Sequence, residues 1–175
     1  METEVFSLSM QTKLDFRIRR SDLSEIVKFE EWLKKSLPYL SKKITEDYLK
    51  KRIEKVGRGK LIEVVSKRST VGFIAWFEET SEKAYLWLLL VSPRYRNLGI
   101  GGHLLDIALE EIKRNGYQRV WAKVKNDNRA VLSLLLKRDF FIKGLVNEEG
   151  LSTVLVEKTL ESLDKRVTSD PFIVM

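Results

Sequence analysis

Three glycines, Gly99, Gly101 and Gly102, follow the apolar run Leu88-Leu89-Leu90-Val91 and flank Ile100, where a helical stripe begins. A strand that empties into a glycine-rich turn and then a helix is a cradle for an anion. Residues without a Cβ let the backbone bend sharply and approach a ligand closely, and the first amides of the helix have no intrahelical acceptors. Those donors, with the positive end of the helix dipole, favour phosphate. Neither common phosphate loop fits, because the lysine of a Walker motif and the first glycine of a dinucleotide fingerprint are both missing.

Other chemistries are bounded by what the chain lacks. It has 175 residues and no cysteine, which excludes a disulfide, a thiolate nucleophile and a Cys-ligated metal. Its single histidine, His103, excludes a His-rich metal cluster and reads as a packing residue one turn into the helix. No metal is expected. The 32 basic and 25 acidic side chains leave a net charge of +7, enough to steer an anionic cofactor, an acidic substrate or nucleic acid. The basic residues are spread along the chain, and charged residues with only two glutamines fit a solvated, heat-adapted surface. The longest apolar run, Ala84 to Val91, is eight residues, against about 20 for a membrane helix. The start Met1-Glu2-Thr3-Glu4 lacks signal-peptide character, so a cytoplasmic protein without membrane attachment is expected.

The elements that must position the cradle follow from periodicity. Residues 1–12 show no period and read as a loose leader. Leu14, Phe16 and Ile18 alternate with charged residues as in a half-buried strand. Asp22 with Glu25 resembles a capping box opening a helix through Leu37, and a second helix is expected from Thr45 to Val56. Leu61–Val65, Thr70–Phe77 and Ala84–Val91 then form an antiparallel meander. The cradle helix carries Ile100, Leu104, Ala108 and Ile112 on one stripe and stops at Asn115-Gly116. A strand around Val120–Val124, a helix over 128–138 and a hairpin bracketing Asn147–Gly150 complete the order. Residues 161–175 read as a tail.

This order and this loop resemble the GNAT superfamily of N-acetyltransferases over residues 13–160. The family's pyrophosphate motif is matched by Arg96-Asn97-Leu98-Gly99-Ile100-Gly101, with Val91, Ser92 and Pro93 before it, and a second motif by Asn128 and Phe140 twelve residues later. The resemblance implies an α+β fold, a mixed and mostly antiparallel sheet of about seven strands flanked by about four helices. It implies that acetyl-CoA lies where the strand of Leu89–Val91 parts from the next one. There the backbone of Leu89, Leu90 and Val91 pairs with the pantetheine arm. The amides of Asn97, Leu98, Gly99, Ile100, Gly101 and Gly102 hold the pyrophosphate, Arg96 adds charge, and Asn128 bonds the pantetheine chain. An asparagine at that position also serves as a plain helix N-cap.

Transfer in this family is direct: an acceptor amine attacks the thioester and the sulfur leaves as thiol. In the branch that acetylates protein N-termini, a glutamate five residues before the asparagine is the base and a tyrosine seven residues after it is the acid. Here those positions hold Lys123 and Leu135. The catalytic residues therefore stay unassigned, with Tyr85, Glu78 and Glu79 as unranked candidates for the base. Lys123 is expected either to pair with an acidic acceptor or to be a solvated lysine. The family's glycine before the terminal phenylalanine is replaced by Asp139, so a local difference is expected there.

The activity expected is acetyl transfer to an amine of a small molecule, peptide or protein. A non-catalytic acyl-CoA-binding module is the alternative. Nucleic-acid association through Lys42, Lys43, Lys50, Lys51, Lys55 and Arg58 ranks below both, and a homodimer is left open.

Overall fold

The computed structural model describes residues 5–7, 15–148 and 150–160. Eight strands form one sheet in the order β1-β2-β3-β4-β5-β6-β8-β7. The strands are β1 (Val5–Ser7), β2 (Asp15–Asp22), β3 (Gly59–Ser66), β4 (Ser69–Thr80), β5 (Lys83–Val91), β6 (Arg119–Lys125), β7 (Phe141–Glu148) and β8 (Leu151–Thr159). Neighbours are antiparallel except β5 and β6. The fold is the expected α+β type. The additional strand is β1, inside the stretch read as a leader, where Phe6 pairs with Phe16 of β2. The expected tail lies outside the described residues.

Helices α1 (Glu30–Ser36), α2 (Glu46–Glu54), α3 (Ile100–Arg114) and α4 (Arg129–Leu136) divide between the two faces. On one face Ile100, Leu104, Ala108 and Ile112 bury the stripe of α3 against Ile62, Ile74, Trp76 and Leu86, with Leu135 of α4 in the same core. On the other, Leu23, Ile26, Phe29 and Leu33 pack with Leu49 against Leu61, Phe73, Ala75 and Phe77. Glycine at position 72 lets α3 close on the sheet, since a Cβ there would lie 3.1 Å from Ile100 Cγ2 and 3.2 Å from the Leu90 carbonyl oxygen.

The first helical segment differs from its expected form. Leu23–Phe29 is a 3-10 helix that passes into α1, and Asp22 makes no side-chain cap. The Asp22 carboxylate instead accepts from Lys60 Nζ at 3.0 Å across β2 and β3, a partner that sequence spacing does not reveal. The cap of α2 is supplied by Thr45, whose hydroxyl accepts from the Tyr48 amide at 3.1 Å.

Candidate acyl-donor cleft

The parallel ladder between β5 and β6 runs Lys83 with Arg119, Ala84 with Val120, Tyr85 with Trp121 and Leu86 with Ala122, and there it stops. Beyond that rung β5 continues through Val91 paired with β4 alone, while Lys123, Val124 and Lys125 of β6 pair with β8 alone. The sheet thus opens a wedge in its middle, with one backbone edge on each side. Buried backbone donors and acceptors demand partners, so such a wedge suits an extended polar ligand.

A β-bulge sits where the wedge begins. Trp76 faces Leu86 and Ala75 faces Leu88, which leaves Trp87 as the extra residue. Trp87 and Leu88 consequently share the α1/α2 side of the sheet, where strict alternation would separate them. The bulge was hidden in the sequence, because Leu88-Leu89-Leu90 is apolar in either phase.

Parallel pairing places the C-terminal ends of β5 and β6 at the same edge of the sheet. The loop after β5 therefore meets the loop that leads from β6 into α4. After Val91, residues Pro93–Tyr95 make one 3-10 turn and the Ser92 amide ties back to the Val71 carbonyl at 2.8 Å. Arg96 Nε donates to the Val91 carbonyl at 3.2 Å, strapping the loop to the strand end. Asn97 and Gly99 both take the left-handed conformation, φ 62 and 78, which turns the chain into α3. The α3 ladder begins with the His103 amide on the Gly99 carbonyl at 3.0 Å, so the amides of Ile100, Gly101 and Gly102 come before any intrahelical acceptor.

The three glycines stand in three different settings. Gly99 is fixed by its positive φ. At Gly102 a Cβ would lie 2.6 Å from Arg138 Nη2, the end of a flexible side chain that would have to move aside. Gly101 is demanded by nothing in the chain itself: a Cβ would meet Leu134 and Val91 at an ordinary 3.7 Å. A Cβ at Gly101 would thus find ordinary van der Waals contact and no clash, so packing alone does not call for glycine there. Leu98 and Ile100 contribute amides but pack their side chains against the core.

Asn128 caps α4, with its Oδ1 accepting from the Val131 amide at 3.3 Å. The cap occupies the carbonyl oxygen and leaves Nδ2 to donate elsewhere, so the two roles weighed for this residue are compatible. Lys123 is exposed on β6 opposite Leu155, on the sheet side that Trp121 shares with α1 and α2. Lys125, two residues on, holds its Nζ 4.9 Å from the ring centre of Tyr39 in the 3-10 turn Pro38–Leu40. Burial, and then the Asp127 carboxylate, push the Tyr39 phenol upward, so the ring stays neutral beneath that cation.

The structure separates the candidate bases. Glu78 accepts from the Tyr117 hydroxyl at 2.7 Å, and Tyr117 belongs to the α3 core. Burial first, then this bond, push the Tyr117 phenol up to about 12. Glu79 accepts from Trp121 Nε1 at 2.6 Å, and Tyr85 packs between Phe77 and Trp121; both stand on the Lys123 side. Leu135 is 2% exposed, a core residue that lies outside any proton path. Among the described residues there is no cluster of three or more His, Asp or Glu side chains able to hold a metal, and no helix long and apolar enough to cross a membrane.

A mixed sheet that parts beside a helix N-terminus offers an extended anionic ligand a backbone edge and a set of amides without intrahelical partners. The sequence matches the acetyltransferase (GNAT) family over residues 26–140, well over half its length, and the chain belongs to that family, whose donor is acetyl-CoA. The structure is similar to Ard1 from Thermoplasma volcanium, with 20% identity, a TM-score of 0.68 and coverage of 83% of this chain and 98% of that one. An N-acetyltransferase from Staphylococcus aureus Mu50 gives 20% identity and a TM-score of 0.67, covering 83% and 99%. A GNAT acetyltransferase from Elizabethkingia anophelis with acetyl-CoA bound gives 17% and 0.64, covering 83% and 98%. At these identities the likeness is one of fold. No curated protein matched in sequence.

Proposed function

We propose that this protein transfers the acetyl group of acetyl-CoA directly to an amine of a small molecule, peptide or protein. The observation that carries the reading is the wedge beyond Leu86 and Ala122, opening onto the Gly99–Gly102 turn. An extended donor with a pyrophosphate needs such a pair of features, and the solved relative with acetyl-CoA bound shares the fold.

In this reading the backbone of Leu89, Leu90 and Val91 holds the pantetheine arm as an added strand. The amides from Asn97 to Gly102 hold the pyrophosphate, each bond to a charged oxygen contributing about 1.5–3 kcal/mol. Asn128 Nδ2 donates to the arm. Acetyl-CoA supplies an activated thioester, and the chain aligns it with the acceptor and keeps water out. Lys123 and Lys125 make the acceptor side cationic, which disfavours the ammonium form of an incoming amine. Lys123 also offers a counter-ion to an acidic acceptor.

A non-catalytic acyl-CoA module is the second reading, favoured by Lys123 and Leu135 at the positions of the branch's base and acid. Acetyl-CoA binding by calorimetry and thiol release across a panel of amines test the two together. Acceptor-dependent release supports transfer; tight binding without release makes the chain a module; no binding overturns both. The α2 lysines count against nucleic acid, since Lys50 pairs with Glu46 at 2.5 Å and Lys51 with Asp47 at 2.9 Å.

A further inference from the structure

Arg138, two residues past the end of α4, has no role in the cleft assigned so far, yet it touches α3 along its first turns. Its Nε and Nη2 donate to the two carboxylate oxygens of Asp106, at 2.5 and 2.8 Å. The guanidinium then reaches one turn up the helix to Gly102, with Nη2 occupying the space that a Cβ would need. Its own backbone is fixed, because Lys158 Nζ of β8 donates to the Arg138 carbonyl at 2.8 Å. The Arg138 side chain is 24% exposed and that of Asp106 54%, so the guanidinium lies against the helix while the carboxylate faces water.

We propose that Arg138 is a positioning residue for the donor site, a clamp through Asp106 and Gly102 that sets the N-terminus of α3 relative to α4. The inference rests on the acetyl-CoA reading and deepens it. The α3 N-terminus carries the pyrophosphate amides, and α4 begins at Asn128. A bidentate Arg–carboxylate pair fixes orientation as well as distance. Glycine at 102 leaves the guanidinium its place, and a methyl group there would move it aside.

The test is a cycle of variants read by calorimetry with coenzyme A and by steady-state KM for each substrate. Arg138→Ala is expected to weaken coenzyme A binding about tenfold, roughly the loss of one well-aimed bond to a charged oxygen. The KM for acetyl-CoA rises in step while that for the amine does not. Gly102→Ala, whose new methyl displaces the guanidinium, weakens binding alone but adds little in the Arg138→Ala background. The charge swap Asp106→Arg with Arg138→Asp recovers part of the affinity. A direct contact between Arg138 and phosphate predicts no recovery, because the swap sets a carboxylate at that position, and that result overturns the clamp. Unchanged coenzyme A affinity in folded Arg138→Ala also overturns it while leaving the acetyl-CoA reading intact. Absence of binding by the parent protein is the distinct failure of that reading.

Discussion

Arg19 faces Glu63 directly across β2 and β3 and grips it with two hydrogen bonds, Nε to Oε1 at 3.0 Å and Nη2 to Oε2 at 2.6 Å. The carboxylate is fully buried, and Lys28 Nζ at 3.0 Å and the Thr70 hydroxyl at 2.8 Å complete its shell. Lys28 belongs to the 3-10 segment leading into α1, so Glu63 anchors the helical layer beside the wedge to the sheet.

Glu63→Gln should destabilise the protein by about 1–3 kcal/mol, since it turns the three bonds from Arg19 and Lys28 to a buried carboxylate into bonds to a neutral amide, while both cations keep partial access to water. Burial alone would raise the Glu63 carboxyl, but the bonds from Arg19, Thr70 and Lys28 outweigh it and hold the group below the ordinary glutamate range. A lowered folded-state value contributes stability that is present above the unfolded glutamate value and is lost as pH falls through the folded one. Thermal melts of both proteins from neutral pH into that acidic range check the sign: the gap between them should narrow on acidification, and a constant gap would show that the charge is irrelevant.

Gly101→Val should abolish acetyl-CoA binding and leave the melting temperature nearly unchanged. A Cβ there meets Leu134 and Val91 only at an ordinary 3.7 Å, so the fold accepts it, while the branched methyl groups crowd the amides proposed to hold the pyrophosphate. Calorimetry together with a thermal melt separates the two effects. Unaltered affinity would move the pyrophosphate elsewhere.

Asp139→Gly should stabilise the chain by about 0.5–1 kcal/mol. Asp139 holds φ 61, a conformation glycine adopts without strain, and its contact with Lys158 Nζ is a long 3.4 Å from an exposed carboxylate. Denaturant midpoints decide; a net loss would mean that the Lys158 contact outweighs the strain.

Lys123→Glu restores the carboxylate that the N-terminal-acetylating branch carries at this position. Deprotonating a lysine amine at pH 7 costs about 4.6 kcal/mol, against about 1 kcal/mol for an α-amine. Without a base, kcat/KM should climb with pH along the acceptor's own titration. In the variant that limb should shift to lower pH, with a gain of at least tenfold at neutrality, below the about 10²–10⁴ of an evolved base. If activity instead vanishes while acetyl-CoA affinity holds, Lys123 binds the acceptor.

Much of this was legible in the residues. The α3 stripe, the stop at Gly116 and the glycine turn into α3 followed from period and glycine placement, because each is a local property of the backbone. Asp22 misled as a cap because its partner, Lys60, is 38 residues away. The Trp87 bulge left no mark in a uniformly apolar run. Arg138 was invisible for a related reason: nothing in its neighbourhood announces Asp106, which only the packing of α3 on α4 supplies. Asp139, which stands where the family has glycine, takes the left-handed conformation with φ 61.

The wedge also bears on how long the protein survives. Two open backbone edges in the middle of a sheet invite strand invasion from other chains, against which the β6 edge carries Lys123 and Lys125. A ligand that fills the gap completes the sheet, and at a hundred times its Kd it adds about 2.7 kcal/mol to folding stability. The lifetime of the folded chain against proteolysis should therefore follow the supply of its donor, with scarcity removing the enzyme along with its substrate.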